Sequence, residues 1–328
     1  MSLIDEIIEK AKRNKKKIVL AEGTEQRIIE AARKICDNKI ADIILIGDEG
    51  KVREAAGDIS LSGIEIIDPR QNEKFEKFVS QLYEMRKEKG LTMDEARKMM
   101  SDELFFGSML VKNNFADGMV AGSVHATSDV IRAGLVTIKA AEGIKTVSSF
   151  FLMEFPDKNL GDNGVLIYAD CGFNIDPDEK QLAEIAVISA RSAKAIANLD
   201  PKVAMLSFST KGSAKHEKCD KVINATRIAR ELDPDLKIDG ELQVDAAIVP
   251  KVAQMKAPQS EIKGEANVLI FPDLDSGNIA YKLTQRLAKA TALGPVCQGF
   301  NKPVNDLSRG CTSDDVVGVV AITSLQAE

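Results

Sequence analysis

The chain has 328 residues, of which 44% are hydrophobic and 29% are charged, as in an ordinary soluble globular protein. This length exceeds what a single hydrophobic core usually spans, so two domains are expected. The formal net charge of -6 at pH 7 is spread along the chain, which argues against general nucleic-acid binding because that requires a basic face.

Cysteine usage and the character of the apolar segments predict a cytoplasmic protein. The five cysteines are an odd number, lie far apart and include no C-x-x-C pair, as expected for reduced thiols. The chain starts with an amphipathic, acid-containing pattern that is unlike a signal peptide. No apolar run approaches the ~20 residues that a membrane span needs, so no membrane association is expected.

Short apolar strands alternate with amphipathic helices in the first half of the chain. Strands are predicted at 18–21, 42–47, 64–67 and 117–122, and helices at 24–38, 71–90 and 93–109. Strands that are continuously apolar and lie between helices are typical of a parallel sheet covered on both faces.

A second alternation begins near residue 145. Its predicted strands are 147–153, 165–169, 203–208 and 268–271, and its predicted helices are 179–198, 217–232 and 279–291. An apolar helix is also expected at 316–325. The sequence therefore predicts two α/β domains with mainly parallel sheets flanked by helices. Their expected bounds are 1–143 together with 297–328, and 144–296.

The segment 305–315 places several reactive groups in one polar turn before the last helix. It holds a hydroxyl, a fixed cation, a glycine, a thiol and a carboxylate, from Ser308, Arg309, Gly310, Cys311 and Asp315. An arginine, a serine and backbone donors at a helix start suit a phosphate or an oxyanion. The carboxylate beside them could accept a proton from an incoming nucleophile.

Each residue of this turn also has a purely structural interpretation. Thr312 and Asp315 fit a capping box at the start of the helix, which does not exclude a role as a base. Arg309 fits a surface ion pair, and Cys311 fits a small packing residue because no base for it is evident. The turn by itself indicates an anion site and leaves its catalytic role open.

A second turn, at 122–132, follows a predicted strand and enters a helix through Ser, Thr and Asp residues. Free N–H groups there, with Arg132 about two turns further on, would form a phosphate site. An ordinary helix cap with a solvated arginine is the alternative. Arg27 likewise follows the first strand, whereas Arg86 and Arg286 lie in predicted helices whose solvated faces would account for them singly.

Motifs for nucleotide and metal binding are missing from the sequence. It contains no G-x-x-x-x-G-K-[ST] and no G-x-G-x-x-G, the two common phosphate cradles. Its two histidines, His125 and His216, are not arranged as H-E-x-x-H, which argues against a zinc enzyme or a Ser-His-Asp hydrolase. Nothing in the sequence calls for a metal.

These motifs, in this order, resemble those of the phosphate acetyltransferase (phosphotransacetylase) family. The likeness covers almost the whole chain and includes 122–132, 239–247, 267–278 and Ser308-Arg-Gly-Cys311. It implies the reversible reaction acetyl-CoA + phosphate ⇌ acetyl phosphate + CoA, with CoA as a substrate and no permanently bound cofactor. It also implies a fold akin to the isocitrate and isopropylmalate dehydrogenases, a cleft between the domains, and a homodimer formed by the second domain.

The resemblance assigns roles to individual residues. Asp315 matches the base that deprotonates the CoA thiol, Arg309 the arginine that binds acetyl phosphate, and Ser308 the serine that supports the oxyanion or leaving group. Transfer is expected to be direct, without an acyl-enzyme. Further residues are expected to bind CoA or acetyl phosphate: Arg27, Arg86, Arg132, Arg286, Ser123, Thr127 and Ser128.

Other functions remain open on the sequence. A phosphate butyryltransferase shares the fold and much of the chemistry. A metal-dependent decarboxylating dehydrogenase on the same architecture would need an aspartate cluster with a catalytic Tyr and Lys, a set that we cannot assemble from a chain with three tyrosines. A domain that only binds acyl-CoA would not need Asp315 beside Ser308 and Arg309.

Overall fold

A computed structural model describes residues 2–327 and divides the chain into two compact units. The first unit runs as far as Ala141 and resumes at Phe300, and the second unit is Glu142–Gly299. No helix within residues 2–327 is long and apolar enough to cross a membrane.

Within residues 2–327 the strands are β1 (Lys17–Leu20), β2 (Asp42–Ile46), β3 (Glu65–Ile67), β4 (Gly118–Ala121), β5 (Ser148–Glu154), β6 (Val165–Ala169), β7 (Lys202–Leu206), β8 (Lys237–Leu242), β9 (Val268–Ile270), β10 (Thr291–Gln298) and β11 (Val304–Asp306). The helices are α1 (Leu3–Arg13), α2 (Gln26–Asp37), α3 (Glu49–Ala56), α4 (Phe75–Arg86), α5 (Met93–Met100), α6 (Glu103–Lys112), α7 (Thr127–Thr137), α8 (Glu179–Ala197), α9 (Glu217–Leu232), α10 (Val244–Ile248), α11 (Pro250–Lys256), α12 (Leu274–Leu287) and α13 (Ser313–Gln326).

The first unit contains a fully parallel sheet in the order β11-β4-β1-β2-β3. Its central strands are buried almost throughout, because helices pack on the sheet and leave no polar face. The core gathers large apolar side chains from strands and helices, including Val19, Phe78, Phe106 and Met119. The last strand, β11, comes from the C-terminal segment and lies beside β4.

The second unit contains a six-stranded sheet in the order β10-β5-β6-β9-β7-β8. Strands β6, β9, β7 and β8 run parallel to one another, whereas β5 pairs antiparallel with both β10 and β6. The predicted fold class, two α/β parts with mainly parallel sheets flanked by helices, is confirmed.

Several predicted helices need correction. The helix predicted at 93–109 is two helices, α5 and α6, because Asp102 accepts hydrogen bonds from Leu104 N at 2.9 Å and Phe105 N at 3.3 Å and so starts a new helix. The helix predicted at 71–90 is regular only over α4, with single 3-10 turns at Pro69–Gln71 and Lys87–Lys89. The helix predicted at 279–291 starts earlier, after Asp273, whose carboxylate accepts from Ser276 N at 2.9 Å.

Candidate active site

Two loops lie side by side at the carboxyl edge of the first unit's sheet. One follows β4 and spans 122–126, and the other follows β11 and spans 307–312. Because β4 and β11 are parallel neighbours, with Asp306 paired to Ala121, both loops leave the sheet at the same edge. Loops at this edge are where α/β proteins bind their ligands. The structure therefore brings together the two turns that the sequence singles out.

Arg27 ties the two loops to each other. Its Nη1 donates to the carbonyl oxygens of Arg309 at 2.9 Å and Cys311 at 3.0 Å, and its Nη2 donates to Ser123 O at 3.1 Å. Its Nε donates to Glu25 Oε1 at 2.6 Å. The guanidinium thus holds main-chain carbonyls from both loops. The predicted contact of Arg27 with substrate stays a prediction beside this structural role.

A buried carboxylate organises the loop after β4. Glu22, only 3% exposed, accepts from Gly122 N at 3.1 Å and Ser123 N at 2.8 Å through Oε2, and from the amides of Val124 and His125, each at 2.8 Å, through Oε1. The Ser123 hydroxyl and His125 Nδ1, the latter at 2.9 Å, also bind it. Burial raises the pKa of Glu22, but hydrogen bonds from His125, Ser123 and Val124 outweigh burial and lower it to about 2.

This carboxylate changes the expected location of the anion site. The free N–H groups predicted at the entry to the helix do not include the four amides that donate to Glu22. The first amides of α7 have no intrahelical acceptor, and Ala126 at its N-cap makes no side-chain cap. The amides of Thr127 and Ser128 are therefore the ones suited to a phosphate group.

The three hydroxyls predicted to bind substrate in this turn are placed differently. Ser123 is buried and its hydroxyl donates to Glu22, whereas Ser128 is exposed at the start of α7. Thr127 Oγ1 lies 2.6 Å from Asp306 Oδ2, at the end of β11. Substrate contacts of all three stay predictions, and the hydroxyls of Ser123 and Thr127 already form hydrogen bonds to carboxyl groups.

The loop after β11 exposes its polar residues and buries its thiol. Ser308 and Arg309 are exposed, and Ser308 Oγ accepts from Gly310 N at 3.3 Å. Among residues 2–327 no carboxylate forms an ion pair with Arg309, so the surface ion pair considered from the sequence is not seen. Cys311 is only 6% exposed, and burial raises its pKa to about 11 against the lowering effect of Arg27.

Asp315 forms the capping box that its spacing predicted. Its Oδ2 accepts from Thr312 N at 2.8 Å and from Thr312 Oγ1 at 2.9 Å, while Asp315 N donates to Thr312 Oγ1 at 3.2 Å. Within residues 2–327, Oδ1 of Asp315 makes no hydrogen bond. The cap therefore uses one carboxylate oxygen, and the partly exposed side chain keeps the other available to a ligand.

Two of the four predicted arginines meet in one cavity of the first unit. Arg86, at the end of α4, and Arg132, on α7, line a cavity of about 230 Å³ together with Lys89 and Glu95. The Arg132 guanidinium also lies 6.0 Å from the centre of the Phe105 ring. Of these positively charged residues, Arg132 lies on the same helix, α7, as the amides of Thr127 and Ser128.

Arg286 lies elsewhere in the chain. It is exposed in the last turn of α12, in the second unit. Its predicted contact with substrate stays a prediction.

Helix-start amides, an exposed arginine and a nearby carboxylate at the edge of a parallel sheet define an α/β protein that handles an anionic ligand. A family model described as phosphate acetyl/butaryl transferase matches residues 2–324. The chain belongs to this family, which confirms the resemblance seen in the sequence.

Proteins named phosphate acetyltransferase or phosphotransacetylase match this chain over almost its whole length. A phosphate acetyltransferase of Thermoanaerobacterium thermosaccharolyticum is 54% identical over 328 residues, covering 100% of both chains. That of Acetivibrio thermocellus is 54% identical over 328 residues, covering 100% of this chain and 99% of its own. A crystal structure of a phosphotransacetylase from Streptococcus pyogenes is 45% identical and superposes with a TM-score of 0.93, covering 99% of this chain and 98% of that one.

Glu22→Gln should destabilise the protein by about 2–4 kcal/mol at neutral pH, because an amide NH₂ would then face backbone N–H donors. The carboxylate stabilises the fold above its ordinary pKa of 4.5, and this contribution is lost as pH falls towards the folded value of about 2. The deficit of the variant should therefore shrink on acidification. Urea unfolding at about pH 7 and about pH 3 measures both quantities.

The matched control is Glu54→Gln, an exposed carboxylate on α3, which should change stability little at either pH. A Glu22→Gln protein as stable as wild type at neutral pH would show that these hydrogen bonds do not hold the loop.

Proposed function

We propose that this protein is a phosphate acetyltransferase that transfers an acetyl group reversibly between CoA and phosphate. The observation that carries the proposal is the 54% identity to a phosphate acetyltransferase over the full length of both chains. The geometry supports it, because an exposed arginine, a serine and a carboxylate stand beside helix-start amides suited to phosphate.

The proposed mechanism is direct attack of the CoA thiolate on acetyl phosphate. Asp315 takes the proton from the CoA thiol, which with an ordinary pKa of ~8.5 is mostly protonated at neutral pH. The sulfur then bonds to the carbonyl carbon, the bond from that carbon to the phosphate oxygen breaks, and phosphate leaves with the electron pair. Arg309 offsets the negative charge of the phosphate, and Ser308 donates to the developing oxyanion or to the leaving group.

The phosphate groups of CoA fit the cavity lined by Arg86 and Arg132. Two guanidinium groups and the Lys89 ammonium outnumber the single carboxylate of Glu95, which already accepts from Thr92 N at 2.9 Å. Arginine binds phosphate through paired N–H groups, which favours this cavity as the site for the phosphate groups of CoA. Arg27 and Arg286 are proposed as further contacts without a separate role for each.

A homodimer formed by the second unit is also proposed. Helix α12 exposes Ile279, Leu283 and Leu287, which are 57%, 52% and 78% exposed and lie on one face at a spacing of four residues. An apolar helix face open to water is typical of a subunit contact. We further propose that the protein works in the cytoplasm, in keeping with its five free cysteines.

The proposed activity is tested by CoA-dependent arsenolysis of acetyl phosphate, without added metal or nicotinamide. Acetyl phosphate should be consumed only when CoA is present. Butyryl phosphate, assayed in parallel, separates the acetyl enzyme from the butyryl alternative. Absence of CoA-dependent turnover in a folded protein would overturn the proposal, and a requirement for a divalent metal and a nicotinamide would favour the dehydrogenase alternative.

Asp315→Asn should reduce turnover by about 10²–10⁴-fold while changing CoA affinity little, because it removes the proposed base. Asparagine keeps an oxygen for the Thr312 cap, so the thermal melting temperature should stay close to that of wild type. As a control, Asp314→Asn alters the preceding exposed carboxylate, which pairs with Lys34, and should keep its activity. Wild-type turnover in a folded Asp315→Asn protein would remove Asp315 from the mechanism.

Arg309→Lys should raise the KM for acetyl phosphate and lower kcat together. Lysine supplies a point charge in place of the paired N–H groups that grip a phosphate. Steady-state kinetics with each substrate varied in turn measures the effect. An increase confined to the KM for CoA would show that Arg309 serves the other substrate.

Cys311→Ser should retain substantial activity, because the buried thiol with a raised pKa is a poor nucleophile and the acetyl group passes directly to CoA. Initial-rate plots against both substrates should intersect, as they do for a ternary complex. Parallel plots together with an inactive but folded serine variant would instead indicate an acetylated Cys311.

Leu283→Glu should convert the dimer to a monomer, because it places a charge in the centre of the exposed α12 face. Light scattering coupled to gel filtration measures the mass. Lys282→Glu is the control, because Lys282 is the exposed neighbouring residue and is not part of the apolar face. This variant should remain dimeric. A dimeric Leu283→Glu protein would show that another surface forms the contact.

A further inference from the structure

Asp306 is a buried carboxyl group that the proposed mechanism does not use. It ends β11 and is 1% exposed. Its Oδ2 lies 2.6 Å from Thr127 Oγ1, whereas its Oδ1, buried as well, makes no good hydrogen bond to any group within residues 2–327. Gly122 passes so close that an added Cβ would lie 2.1 Å from Oδ1.

This environment favours the neutral acid over the carboxylate. A buried ionised carboxylate with one unsatisfied oxygen is costly, whereas a neutral carboxyl group leaves only a weak carbonyl acceptor unmatched. Burial raises the pKa of Asp306 to about 7, against lowering by Thr127 and the Leu307 amide. Of the charged groups nearby, Glu22 raises this pKa further and Arg309 lowers it.

The protonation state of Asp306 decides which way the Thr127 hydroxyl points. Thr127 has one O–H to donate. Beside an ionised carboxylate that hydrogen is used on Asp306 Oδ2, and only lone pairs face the start of α7. Beside a neutral acid, the carboxyl O–H donates to Thr127 Oγ1, and the threonine hydrogen is free to donate to an anion that accepts from the amides of Thr127 and Ser128.

We propose that Asp306 is a proton-holding positioning residue that turns the Thr127 hydroxyl into a donor for the phosphate group of acetyl phosphate. An anion at the start of α7 gains a donor when Asp306 is neutral and meets lone pairs when Asp306 is ionised. Phosphate binding is therefore coupled to one proton on a side chain that does not touch the substrate. This inference rests on the proposed function and on the amides of α7 as its phosphate site.

The test compares the KM for acetyl phosphate in wild type and Asp306→Asn at saturating CoA, from about pH 6 to about pH 9. The asparagine NH₂ can donate permanently to Thr127 Oγ1, so the variant should lack this pH dependence. The ratio of wild-type KM to variant KM should be nearly constant below about pH 7 and should rise above it towards a plateau of about 10-fold, the contribution of one hydrogen-bond donor. Titration of acetyl phosphate and of the CoA thiol cancels in this ratio.

Asp129→Asn is the control, because it removes an exposed carboxylate from the same first turn of α7. Its KM ratio to wild type should not vary with pH. A ratio for Asp306→Asn that is equally flat, in a protein with wild-type melting behaviour, would overturn the proposal.

Threonine variants keep the proposal testable if Asp306→Asn does not fold. Thr127→Ser should preserve the wild-type pH profile. Thr127→Val should raise KM by about 10-fold or more at about pH 6, where the lost donor matters, and by much less at about pH 9. An excess in KM that is the same at every pH would overturn the hydroxyl reversal. Inactivity of the wild-type protein towards acetyl phosphate and CoA would instead refute the proposed function.

Discussion

The hydrogen bonds to the buried carboxylate of Glu22 are the interaction on which the order of the two candidate-site loops depends. Glu22 lies just after β1, and β1 is the neighbour of β4 in the sheet. Its carboxylate therefore reaches the amides of 122–125, which directly follow β4. Burying an ionised carboxylate costs free energy, but hydrogen bonds from four amides, a hydroxyl and an imidazole offset that cost here. Arg27, five residues further along the chain, then fixes the loop after β11 to the loop after β4. Residues 22–27 thus order both loops.

These contacts also set which charges remain available to a ligand. Glu22 is surrounded by donors, which lower its pKa, and its hydrogen bond to His125 raises the pKa of that imidazole. The negative charge of Glu22 and the positive charge of His125 therefore offset each other. Burial favours the neutral forms of Asp306 and Cys311. The loop after β11 consequently exposes the Arg309 guanidinium, and the first turn of α13, which follows this loop, partly exposes the Asp315 carboxylate. A cation for the phosphate and a separate base for the thiol are what the proposed reaction needs.

The sequence predicted those parts of the structure that local patterns encode. Continuous apolar runs marked β1, β2, β6 and β9, and the spacing of Thr312 and Asp315 predicted their capping box. Strands without such runs were missed: β8 contains the buried Asp239 and Glu241, β10 is interrupted by Gly294-Pro295, and β11 has three residues. The contact of Glu22 with 122–125 spans about a hundred residues, and that of Thr127 with Asp306 spans more. Neither leaves a local pattern, so the sequence could not show that the amides of 122–125 donate to Glu22.

The proposed role of Asp315 as a base, beside its observed role as a helix cap, places a demand on the neighbouring residues. Carboxylates are weaker bases than thiolates, since their ordinary pKa values are about 4 and about 8.5, so moving a proton from a thiol to a carboxylate costs about 6 kcal/mol unless the thiolate is stabilised. The cation that offsets this cost must lie beside the thiolate. Arg309 is six residues before Asp315, its carbonyl is held by Arg27, and its guanidinium is exposed. In the proposed mechanism the Arg27 side chain would serve the proton transfer as well as phosphate binding, because it holds the backbone carbonyl of Arg309, whose guanidinium supplies the stabilising charge.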